Sequence, residues 1–159
     1  MEIDGEPVLS LEGRLALAED GPADSSVGMA GDDHPNGAVE LAESVLCVPD
    51  ANLDDYECRY ARYLQRPALS DGQLRIFDLG RSSVVIVAYS ALGAVLPGEV
   101  PAALPAFVGY SIAVQNLAAT RELLEWADFP VRESPLGGWY VPAEAALGAA
   151  VIFHSAHGA

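Results

Sequence analysis

The chain has 159 residues, 51% of them hydrophobic, with a net charge of −15, which suits one domain with a real core. All eight basic residues are Arg, set against 23 acids, and that balance argues against a nucleic-acid binder and against docking on an anionic membrane surface. Two Cys are too few for a disulfide scaffold or a four-Cys zinc site.

The acidity is uneven. Residues 1–36 hold nine acids against Arg14 alone, a charge of −8 that leaves −7 for the rest of the chain. Within it, residues 19–33 are small, polar and acidic, the composition of a loop or linker. Pro7 to Ala18 has enough apolar residues for a short strand or a docking segment. No basic stretch leads into an apolar core of the signal-peptide kind, and no apolar run approaches the roughly 20 residues of a membrane helix. These features predict a cytoplasmic protein that binds neither nucleic acid nor membrane, with Cys47 and Cys58 as free thiols.

From residue 37 onward the pattern is mixed. Ala38 to Val48 is strand-like and is broken by Pro49-Asp50. Asn52 is placed to cap a helix, with Asp54 and Asp55 in its first turn. Leu53, Tyr56, Tyr60, Tyr63 and Leu64 recur at helical spacing, which predicts that the tyrosine stripe packs on a sheet. Residues 66–70 leave room for a short strand, and Ser70-Asp71-Gly72 reads as a turn. Leu74, Ile76 and Asp78 alternate as in a strand, and Val84 to Tyr89 is a strongly β-forming run. Residues 91–106, with three prolines, form a connector with a short helical turn.

The pattern then recurs. Phe107 to Val114 predicts a strand, Asn116 a helix cap, and Leu117, Thr120, Leu123, Leu124 and Ala127 a helical stripe. Val131–Ser134, Trp139–Val141 and Ala149–His154 predict three more strands. Glu43 to Asp50 aligns with Gly109 to Asn116, matching strand with strand and helix start with helix start. Two copies of a β-α-β-β-β unit indicate a duplicated α+β architecture rather than a solenoid, which needs three or more copies. The organisation expected is an acidic segment over 1–36, then one domain over 37–159. Its first module covers about 37–90, the connector 91–106 and the second module about 107–156.

These paired units, each opening with strand, Asp/Asn and helix, resemble the vicinal oxygen chelate superfamily, which includes glyoxalase I, bleomycin-resistance proteins and extradiol dioxygenases. The resemblance covers roughly 38–156. It implies two tandem βαβββ modules whose curved mixed sheet forms a cup for a small molecule, with the helices outside. Members with a metal take ligands from the first and last strand of each unit. In the usual opening motif the ligand lies seven residues before the Asp, which is Glu43 here; the matching position before Asn116 is Gly109. On the last strand the family Glu corresponds to Ile152, and Val84–Tyr89 has neither carboxylate nor imidazole. One candidate ligand in four positions falls short of the three or four that a divalent site needs. No metal and no cofactor are therefore expected, with a nonstandard set of Glu43, His154 and Cys47 as the alternative.

Alternation puts Glu43, Val45 and Cys47 on one face of their strand, and Ile152 with His154 on one face of theirs. Glu43 is the candidate base, with His154 or Tyr110 as partner acid. Cys47, Ser111, Tyr89, Trp139 and Tyr140 are candidate ligand contacts, the aromatics through stacking or hydrogen bonding; ordinary packing is the alternative for each. His34 reads as a turn residue. No P-loop, GxGxxG, HExxH or Gly-x-Ser-x-Gly pattern is present. The expectation is a metal-independent enzyme that acts on a small organic metabolite by acid–base chemistry of isomerase, cyclase or lyase type. The alternative is a non-catalytic drug- or metabolite-binding protein of the bleomycin-resistance type, and a third reading is an interaction module on a degenerate cup. A homodimer is expected to use the connector or residues 7–18.

Overall fold

The structure is a computed structural model that describes residues 37–156. The expectations for residues 1–36, including the acidic linker, the 7–18 segment and His34, lie outside the described residues. Strands β1 (Ala38–Val48), β2 (Leu69–Asp71), β3 (Leu74–Asp78) and β4 (Ser83–Ala88) surround helix α1 (Leu53–Leu64) in chain order. The connector carries a single turn, α2 (Leu92–Val95). Strand β5 (Ala106–Val114), helix α3 (Leu117–Trp126) and strands β6 (Arg132–Glu133), β7 (Trp139–Val141) and β8 (Ala150–Ser155) repeat the order.

All eight strands form one curved sheet in the order β2-β3-β4-β1-β5-β8-β7-β6. The first strands of the two modules lie side by side and antiparallel, and each pairs in parallel with the last strand of its own module. The βαβββ repeat is thus a duplication closed at the β1–β5 seam. Three register shifts interrupt that seam. Such bulges bend a strand and increase its twist, which helps a sheet curl into a cup.

Alternation along the strands separates two apolar layers. On the outer face α1 lays Tyr56, Tyr60 and Leu64 toward buried Leu46, Phe77 and Ile86, and Tyr60 meets Phe77 with ring centroids 6.1 Å apart. Arg75 leaves β3 on the same side and binds Glu57 and Asp54 of α1, the latter at 3.0 Å. The helix starts differ. Asn116 caps α3 through its side chain, which accepts from the Ala119 N–H at 3.1 Å. Asn52 occupies the cap position of α1 without that bond, because a 3₁₀ turn over Asp50–Asn52 leads into the helix and sets its φ at −106°. The Ser70-Asp71-Gly72 turn also moves by one residue: Asp71 still pairs with Leu74, and Gly72 takes the positive φ.

The inner layer holds the main correction to the reading of the connector. Leu92, Val95 and Leu96 are buried against Val45, Cys47, Val85, Val87, Tyr140, Ala150 and Ile152. The connector is folded into its own cup and closes one end of it. Two polar ties hold it there. The Tyr140 hydroxyl donates to the Pro97 carbonyl at 2.6 Å. The Glu99 carboxylate accepts from the Ala143 N–H at 3.3 Å and faces Arg132 at 3.8 Å. Its buried side chains are thus spent inside the molecule, whereas Ala94, Pro97, Val100, Ala102 and Ala103 are exposed.

Candidate functional site

The open end of the cup is a cavity of about 700 Å³, within the range of small-molecule sites. The strand register explains its layout. One row of paired residues crosses the sheet through Asp78, Ser83, Glu43, Ser111, Ile152 and Tyr140. Directly paired residues point to the same face, so this row looks into the cup. The next row toward the connector is apolar, with Ile76, Val85, Val45, Gly109 and Ala150. The cavity therefore has an apolar floor and a polar shelf.

Glu43 is half-buried on that shelf, and the Ser83 hydroxyl donates to its Oε1 at 3.3 Å. This bond fixes one carboxylate oxygen and leaves Oε2 for a ligand. Ser111 sits on the neighbouring strand, lines the cavity and is only 2% exposed. His154 also lines the cavity, beyond Ile152 along β8, with Nδ1 3.1 Å from the Ser155 carbonyl oxygen. Strand β5 separates β8 from β1, so the Glu43 and His154 backbones lie about 9.5 Å apart or more. The two residues share a cavity without pairing in register. Asp71, Asp78 and Arg81 line the mouth; Arg81 is 94% exposed and lies 3.7 Å from Glu40.

The other sequence-selected residues fall elsewhere. Tyr110 pairs with Ser44 and Val151 on the outer face, 38% exposed, and does not line the cavity. Tyr89 starts the 3₁₀ turn after β4 and is exposed. Trp139 faces α3, with the Arg121 guanidinium 4.0 Å from its ring centroid. Tyr140 faces the cup, but its ring is buried and its hydroxyl is tied to Pro97. Cys47 faces the cup within the closed apolar end. Burial, with a smaller push from the Asp50 carboxylate, raises its thiol to about 11. Conversely, Ser83 belongs to the site and sequence reasoning missed it. A parallel pairing across forty residues leaves no local signal, whereas Asp78 was visible through its alternation with Leu74 and Ile76.

The donor set does not fit a divalent metal at the fold's usual positions. Glu43 is the only carboxylate there. Gly109 has no side chain, and a Cβ at that position would meet the Ala150 carbonyl oxygen and Leu96 Cδ1 at 3.2 Å. Ile152 occupies the third place. Among the described residues no group of three His, Cys, Asp or Glu is arranged to hold a metal ion. The alternative set of Glu43, His154 and Cys47 is not assembled, since Cys47 lies outside the cavity lining.

No family model and no curated protein matches the chain. Solved structures do. Methylmalonyl-CoA epimerase from Mycobacterium tuberculosis superposes with a TM-score of 0.57 at 14% identity, covering 77% of this chain and 91% of that one. A Streptomyces coelicolor methylmalonyl-CoA epimerase in complex with 2-nitronate-propionyl-CoA gives 0.50 at 10% identity, over 73% and 93%. A xylose isomerase-like TIM barrel/4-hydroxyphenylpyruvate dioxygenase fusion protein gives 0.53 at 13% identity, over 94% of this chain and 25% of that one. The class is thereby defined: an α+β protein built on a duplicated βαβββ unit. The fold is the one these structures share, and it agrees with the architecture that the sequence resemblance implied. Among the described residues no helix is long and apolar enough to cross a membrane.

Proposed function

We propose that the chain is an enzyme of the isomerase or lyase type that moves a proton on a small organic metabolite held in the cup, with Glu43 as the base and no metal. The observation that carries this reading is the placement of Glu43. It is oriented by Ser83 and lies at the boundary between a polar shelf and an apolar floor in a cavity of about 700 Å³. A candidate base must reach its proton before its basicity matters, and Oε2 is the oxygen left to do so. His154, at the rim, supports the reading as a group that exchanges protons between the cavity and solvent. The epimerase likeness supports the scaffold's suitability for such chemistry and leaves the substrate open.

The test is incubation with a metabolite extract in D2O. Deuterium incorporation or mass-shifted products should appear with the wild-type protein and vanish with Glu43→Gln. Unchanged turnover in that variant overturns Glu43 as the base. The thin donor set at the usual metal positions favours one second reading, a binder that sequesters its ligand. That protein would retain a compound stoichiometrically, with no product formed.

A further inference from the structure

The Ser111 hydroxyl carries more than the proposal above uses. The residue is 2% exposed and lines the cavity between Glu43 and Ile152. No hydrogen bond joins its side chain to any of the described residues, although Ser83, across β1, donates to Glu43. A hydroxyl with no protein partner takes its hydrogen bond from whatever fills the space before it, water or ligand. Its one open direction is the cavity. Ser111 and Glu43 are direct cross-strand partners, so their Cβ atoms lie about 5 Å apart. Side chains this close together can reach a carbonyl oxygen and the C–H bond on the carbon beside it at the same time.

The charges at the mouth narrow the class further. Asp71, Asp78 and Glu43 line the cavity against Arg81, which is strongly exposed and already faces Glu40. An anionic ligand would meet uncompensated carboxylates, whereas a neutral or cationic one would not. The floor of Ile76, Val85, Val45 and Ile152 suits an apolar body.

Building on the acid–base reading above, we infer that the substrate is an uncharged or cationic carbonyl compound with an apolar body, whose carbonyl oxygen accepts a hydrogen bond from Ser111 while Glu43 takes the adjacent C–H proton. The C–H electron pair moves into the carbonyl group and gives an enolate, whose oxygen Ser111 holds. The protonated Glu43 then returns a proton to carbon. In D2O its acid proton exchanges with solvent through the open mouth, so deuterium replaces hydrogen with no net oxidation or loss of atoms. A donor aimed at the developing oxyanion stabilises the transition state more than the ground state.

Three probes share a phenyl group and a CH2 beside a carbonyl: α-hydroxyacetophenone is neutral, α-aminoacetophenone is cationic and phenylpyruvate is anionic. Proton NMR in D2O follows loss of the CH2 signal above the buffer rate. Wild-type protein should speed exchange of the first two and leave phenylpyruvate near the buffer rate. Ser111→Ala should slow the maximal rate about 100-fold, Ser111→Thr should restore most of it, and Glu43→Gln should abolish it. Thermal melting is read for each variant, and the threonine variant is the folded comparison if alanine destabilises. Exchange lost in Glu43→Gln but unchanged in Ser111→Ala overturns this inference and leaves the acid–base reading standing. Fastest exchange with phenylpyruvate overturns the charge class. No exchange with any probe overturns both.

Discussion

The hydroxyl of Tyr140 on β7 donates a 2.6 Å hydrogen bond to the carbonyl oxygen of Pro97 in the connector. This one contact ties the second module to the segment that closes the cup. The carbonyl is held beside buried Leu96, so the floor of the cavity depends on where the bond places the connector. Tyr140→Phe keeps the ring and removes the donor. It should destabilise by about 0.5–1.5 kcal/mol, the net worth of one hydrogen bond whose acceptor sits on an exposed residue, where water replaces the lost donor. Urea unfolding measures this, and an unchanged midpoint would show that the connector holds its place through packing alone.

Gly109 is a packing requirement and not a flexibility requirement. A Cβ there would press on Leu96 and on the Ala150 backbone at 3.2 Å. Gly109→Ala should cost about 1–3 kcal/mol through overpacking. Gly109→Glu, which installs a metal-ligand type of side chain at the fold's usual position, should cost more and should not create a metal site. Calorimetric melting with and without added Mn²⁺ checks both points; a stable glutamate variant that binds the metal would contradict them.

The two thiols should differ sharply. Cys58 is exposed and Cys47 buried, with the Cys47 thiol pushed up to about 11 from 9.0. A thiol reagent at pH 8 should titrate one cysteine in the native protein and two in denaturant. The linkage follows from the sign of the shift. The unfolded Cys47 ionises near 9 and the folded one near 11, so its contribution to stability is complete below pH 9. It is lost as the pH rises to about 11. Two pH units correspond to at most about 3 kcal/mol. The stability difference between pH 8 and pH 11 should therefore shrink by that order in Cys47→Ala.

Acid should act on Asp50. The Ser90 N–H donates to its Oδ1 at 2.9 Å, and this bond leads the causes that hold the carboxyl below its ordinary 3.8. A carboxylate with a depressed folded value contributes stability above its unfolded value, and that contribution is lost as the pH falls through the folded one. Asp50→Asn should thus have a lower urea midpoint than wild type at pH 6, and the two should converge as the pH falls through the folded value, which lies below 3.8. A constant difference across that range would assign the effect of the substitution to something other than ionisation.

Much of this molecule was legible along the chain. The β-α-β-β-β repeat, the cap at Asn116, the outward tyrosine stripe and the shared face of Glu43, Val45 and Cys47 all follow from hydrophobic period, turn residues and alternation, which are local properties; that this face looks into the cup was implied by the family resemblance. The connector's Leu92, Val95 and Leu96 were equally visible as apolar residues, yet nothing local showed that they fill their own cup. Ser83, Glu43 and Ser111 form one row because a parallel pairing and an antiparallel pairing meet on β1 in one register. Register between strands forty or more residues apart is set by the packing of whole layers. Composition argued against nucleic acid, and pattern suggested a cup. The side chains that share its open end, and Tyr110's place on the outer face, were settled by pairing across the sheet, because each one-residue shift in a strand turns its side chains to the opposite face.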